Sequence, residues 1–191
     1  MGKFNLIFKA ITLDKEAIQQ LSDPNSNWRL ISAFITFLLG IFYGFTSITI
    51  NSELIASFET PLLRETVVPG LFLFFGIVMI FITKIGFSLL LWAGAKGFGG
   101  PGYLRILYRN TTIALVPSVM ALPAFISLQV GAPLTFLMVL FLALSLTWMY
   151  LIFSKILEVT QQFIPWKAYV AILLVFIFFT SIYYIVTPPT T

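Results

Sequence analysis

The chain has 191 residues, 59% of them hydrophobic and only 9% charged, and its mean hydropathy is +1.01. A typical soluble domain is about 25% charged, so a water-soluble globule is excluded. A net charge of +4, scattered along the sequence, is too weak for nucleic-acid binding.

Cysteine and histidine are both absent. This removes disulfides, thiolate metal sites, the cysteine nucleophile and the usual base near neutral pH. Of the seven acids, only Glu158 lies near a hydrophobic run. Hydrolytic or redox catalysis has little to work with, and neither an enzyme nor a cofactor is expected.

Residues 1–27 do not read as a signal peptide, because Lys9, Asp14, Lys15 and Glu16 interrupt the short apolar stretch. Gly2 is present, but position six lacks the Ser or Thr of a myristoylation signal. Phe4, Ile7, Phe8 and Ile11 recur at helical spacing, as do Ala17, Ile18 and Leu21. Asp14 is placed to cap the second group, and Pro24 to end it. The stretch is expected to be an amphipathic helical leader lying in the membrane interface.

Five apolar runs follow, each long enough for the roughly 20 residues of a spanning helix. They cover Trp28–Ile50, Val67–Ala95, about Leu104–Leu128, about Pro133–Leu157 and about Lys167–Val186. No linker between them can hold a separate domain. The expected fold is all-α: one five-helix transmembrane domain over 28–187, with a short outside tail, 188–191.

Charge orients the bundle. Lys3, Lys9, Lys15 and Arg29 outnumber Asp14, Glu16 and Asp23 by one before and into the first run. Between runs one and two the acids Glu53, Glu59 and Glu65 outnumber Arg64. The next connection carries Lys84, Lys96, Arg105 and Arg109 with no acid, and the one between runs four and five is again basic. The positive-inside rule then places the N-terminus in the cytoplasm and the C-terminus outside.

Four features, taken in order, carry a family resemblance: ITLDKEAIQQL before the first run, KGFGGPGYLRIL after the second with Pro117 beyond it, Trp148 in the fourth, and EVTQQFIPWKA leading into the fifth. Over roughly residues 10–187 the chain resembles the Yip-one (Ypt-interacting protein) domain family. The resemblance implies five spans and a cytoplasmic N-terminus. It also implies association with membrane proteins or self-association, and for eukaryotic members with prenylated Rab-type GTPases in early secretory membranes. The short leader argues against GTPase binding. The compact form points to a prokaryotic plasma membrane rather than an endomembrane.

Two groups of residues stand out as candidate sites. Lys96, Arg105 and Arg109 surround the glycine turn and form a candidate face for anionic headgroups or a partner; the plain alternative is topology signalling. Thr83, Lys84 and Ser88, with Thr111 and Thr112, suggest a polar intramembrane patch. There Lys84 either pairs with Glu158 or a lipid phosphate, or snorkels to the interface. Gly99, Gly100, Pro101, Gly102, Pro117 and Pro123 are candidate backbone hinges. Gly40 and Gly44 form a G-x-x-x-G expected to pack within the bundle.

The functional expectation is a non-catalytic protein that recruits or organises partners or lipids at the cytoplasmic face, in trafficking or membrane homeostasis. The alternatives are a small transporter, channel or lipid-moving protein with a polar path around Lys84, and an accessory subunit of a transport complex.

Overall fold

A computed structural model describes residues 3–23 and 27–186. Among them all regular structure is helical. Two short helices, α1 (Lys3–Ile11) and α2 (Lys15–Ser22), precede the first span α3 (Trp28–Ile50) and the short α4 (Ser52–Ala56). A π-helical turn, Leu63–Val67, runs directly into α5 (Val68–Gly97). The third span consists of α6 (Leu104–Leu115), a 3-10 segment (Val116–Ala121) and α7 (Leu122–Gln129). The helices α8 (Phe136–Gln161) and α9 (Pro165–Val186) complete the bundle. The expected tail 188–191 and the break at Pro24 lie outside the described residues.

The second span is longer than the apolar run implied. Together the π turn and α5 make a 35-residue helix, about 52 Å at 1.5 Å per residue. That exceeds a hydrocarbon layer of about 30 Å, so the helix tilts or projects beyond it.

The third span is the axis of the bundle: 67% of its most apolar stretch is buried, against 11% to 28% in the other four. Proline lacks the N–H that would close the helical ladder, and at Pro117 the helix tightens into the 3-10 segment. The loosened carbonyls find other donors. Ser118 Oγ donates to Leu115 O at 2.6 Å, and Ser145 Oγ of α8 donates to Pro117 O at 2.9 Å. Pro123 sits in the first turn of α7, where its missing N–H costs least.

Two different contacts fix the outer spans on this axis. The G-x-x-x-G of α3 meets Gly76 of α5 backbone to backbone. A Cβ on Gly76 would lie 2.5 Å from Gly44 N, and one on Gly40 would lie 2.6 Å from Ile77 Cα. On the other side, Phe87 of α5 stacks on Phe153 of α8 and on Phe179 of α9, with centroids 5.1 and 4.1 Å apart.

The leader is part of this structure. Asp14 caps α2 through Ala17 N at 3.1 Å, and Ala17, Ile18 and Leu21 are buried in the bundle core. Phe4 and Phe8 on α1 remain exposed. The apolar face of α2 is therefore covered by protein, whereas part of α1's is open.

Candidate functional site

The glycine turn ends α5 in a regular C-cap. Gly99 N donates to Lys96 O (3.1 Å) and Gly100 N to Ala95 O (2.8 Å), with Gly99 at φ +82°. Gly102, at φ +64°, donates its N–H to Gln161 Oε1 at 2.7 Å. Glycine adopts such positive angles at little steric cost. Phe163 occupies the space a Cβ on Gly100 would need, and Pro101 lies exposed between them. The elbow is therefore a fixed corner against the α8–α9 connection, not a free hinge.

Deeper in the bundle, three helices each present polar side chains one turn apart: Ser32 and Thr36 on α3, Lys84 and Ser88 on α5, Tyr108 and Thr112 on α6. This spacing puts each pair on one helix face. Lys84 is 1% exposed. Its Nζ donates to Ser32 Oγ (3.0 Å) and Thr36 Oγ1 (3.2 Å) and lies 4.2 Å from the centre of the Tyr108 ring. An ammonium has three N–H donors, and two hydroxyl oxygens and an aromatic face account for all three. Ser32 Oγ is itself 2.8 Å from Thr112 Oγ1 and 3.0 Å from Arg109 O, while Ser88 Oγ donates to Lys84 O (2.6 Å) and lies 3.0 Å from Thr111 Oγ1. The group forms a closed cage around the cation.

Two expectations are corrected here. Lys84 neither snorkels nor pairs with Glu158, since the cage draws its amine toward α3 and α6. Glu158 instead holds two other lysines, Lys15 Nζ at 2.8 Å and Lys155 Nζ at 3.0 Å. The carboxylate's hydrogen bond and charge hold the Lys15 proton above its ordinary value of 10.5. Thr83 is half-buried on a neighbouring face and takes no part in the cage. Ser32, Thr36 and Tyr108 were missed by the sequence reading, although the hydroxyl pair four apart in the first span was a usable signal.

A third correction concerns Arg109. It is buried, and its guanidinium donates to Asp23 O (3.2 Å) and more weakly to Leu21 O (3.5 Å), at the end of α2. Its own carbonyl accepts from Trp28 Nε1 at 3.1 Å. Beside it, Asn110 Nδ2 donates to Ser22 Oγ at 2.6 Å, and Trp148 Nε1 donates to Ile11 O at 2.9 Å. Arg109 thus staples the leader to the bundle. Lys96 and Arg105 are exposed, and among the described residues neither forms an ion pair.

Two clefts flank Arg105. One, of about 430 Å³, lies between α5 and α6 and is bounded by Ile85, Leu89 and Leu104, with Ser88 and Tyr108 at its wall. The other, of about 450 Å³, surrounds the first turn of α6 from Gly102 to Ile106 and reaches Arg109. Lys84 lines neither. Among the described residues no group of three His, Cys, Asp or Glu side chains is placed to hold a metal ion.

Five helices are long and apolar enough to cross a membrane. The chain has the architecture of an integral, multi-pass membrane protein. Comparison with family models, curated proteins and solved structures gives no match.

Proposed function

We propose that the protein is a non-catalytic membrane scaffold that works from its cytoplasmic end, where leader and elbow together engage anionic lipid and membrane partners. One observation carries this reading. The end bearing the exposed cations Lys96 and Arg105 also carries the leader, which four side-chain contacts, from Lys15–Glu158 to Trp148–Ile11, bind into one platform. The positive-inside rule assigns this end to the cytoplasm. The exposed Phe4 and Phe8 of α1 then lie at headgroup level, as an interfacial helix would place them. The Yip-one resemblance supports the same orientation and adds association with membrane proteins, a prokaryotic plasma membrane being the setting that fits the compact form.

The transporter alternative needed a path to Lys84. The closed cage, with Ser88 and Tyr108 standing between Lys84 and the nearer cleft, counts against it.

The test is to extract the protein with its surrounding lipid in polymer-bounded discs and compare disc lipids with the bulk membrane. Anionic lipid is expected to be enriched, and a Lys96→Gln/Arg105→Gln variant should return the shell to bulk composition. Shell and bulk alike in the unaltered protein would reject the reading.

A further inference from the structure

We infer that the protein seats one anionic glycerophospholipid at Arg105, with the phosphate at the first turn of α6 and an acyl chain in the cleft between α5 and α6. The inference rests on the cytoplasmic placement of the elbow and specifies the lipid and its site.

The first turn of α6 is electrostatically mismatched. The N-terminus of α6 has no side-chain cap and no acid in its first turn. A helix N-terminus carries about half a positive charge and favours anions. Arg105, in that first turn, adds a full positive charge where a carboxylate would ordinarily stabilise the helix. It is exposed, and among the described residues it has no ionic partner. A phosphate would satisfy the guanidinium and the free N–H groups together.

The space around Arg105 selects the kind of phosphate. The two clefts meet at Leu104 and Arg105. One surrounds the first turn of α6 and is lined by both Arg105 and Arg109. The apolar one, walled by Ile85 and Leu89, lies roughly two to three helical turns below Lys96 along α5, at the depth of the inner leaflet. Both are open grooves on the bundle surface. A charged upper compartment over an apolar lower one matches a phospholipid entering sideways from the leaflet. A soluble anion would leave the lower cleft unused. Arg109, already bonded to the leader, is not a ligand here.

Native mass spectrometry of the purified full chain tests the seat, with phosphatidylglycerol, phosphatidylcholine and inorganic phosphate as probes. One phosphatidylglycerol should be retained per chain, and phosphatidylcholine should bind about fivefold more weakly or worse. Arg105→Gln should weaken phosphatidylglycerol binding about fivefold or more. Ile85→Trp, at an exposed position where a larger side chain fills the lower cleft without crowding the core, should do the same. Lys96→Gln removes an equal charge from the same elbow but lines neither cleft, and should leave binding within about twofold. Equal losses for Lys96→Gln and Arg105→Gln, no loss for Ile85→Trp, or displacement by inorganic phosphate would each overturn the seat. Failure of the discrete complex with anionic shell enrichment intact rejects the seat alone. Failure of both rejects the reading beneath it.

Discussion

Lys84 and Arg105 carry the same charge on neighbouring helices, and the fold treats them in opposite ways. Lys84 is enclosed, with two hydroxyls and an aromatic ring around its three N–H bonds. Arg105 is exposed at an uncapped helix start between two clefts. A cation inside a bilayer protein is costly unless it is coordinated, and the enclosed one is held by a full set of contacts. The exposed one sits where like charges converge, a poor arrangement for stability and a good one for an anion.

The sharpest way to break this comparison is to remove each cation in turn. Lys84→Ala takes the centre out of the cage and leaves a void, and should cost about 2–4 kcal/mol in detergent unfolding. Arg105→Ala should stay within about 0.5 kcal/mol of the unaltered protein. Similar costs for both would erase the distinction. Next in size is Tyr108→Leu, which removes the aromatic face and should cost about 1–2 kcal/mol. That loss should shrink when Lys84 is already methionine, giving a coupling of at least about 0.5 kcal/mol in a double-mutant cycle. Thr36→Val should cost about 1 kcal/mol, and it too should be non-additive with Lys84→Met.

The smallest expected effect involves the leader. A lysine whose proton is held more tightly in the folded state contributes stability that is fully present below its ordinary value and lost as pH rises through the folded one. The Lys15–Glu158 contact should therefore hold α2 at neutral pH and loosen only above pH 10.5. Trypsin cleavage at Lys15 should be unchanged from pH 7 to 9, and faster at pH 8 in Glu158→Gln.

Span number and most span boundaries were legible because a bilayer demands about 20 apolar residues, a signal that survives without knowledge of packing. The G-x-x-x-G was equally readable, since close backbone approach has few other residue solutions. The partners of Lys84 and Arg109 were not. Both depend on which helix faces which, and hydropathy carries no rotational information. Glu158 shows the difficulty: as the acid nearest a hydrophobic run it was the obvious mate for Lys84, yet it is tied to Lys15 of α2. Arg109 looked like Arg105 in sequence, but a step of four positions places one at the helix start and the other a turn deeper, under the leader.

Every surface assigned above depends on five crossings with leader and elbow on the cytoplasmic side. The natural absence of cysteine allows single-cysteine variants without further changes, and Glu16, Lys96 and Glu59 are all exposed. In intact cells a membrane-impermeant maleimide should label Glu59→Cys and spare Glu16→Cys and Lys96→Cys until the membrane is permeabilised. Labelling of Lys96→Cys from outside, or of Glu16→Cys and Glu59→Cys alike, would contradict the account.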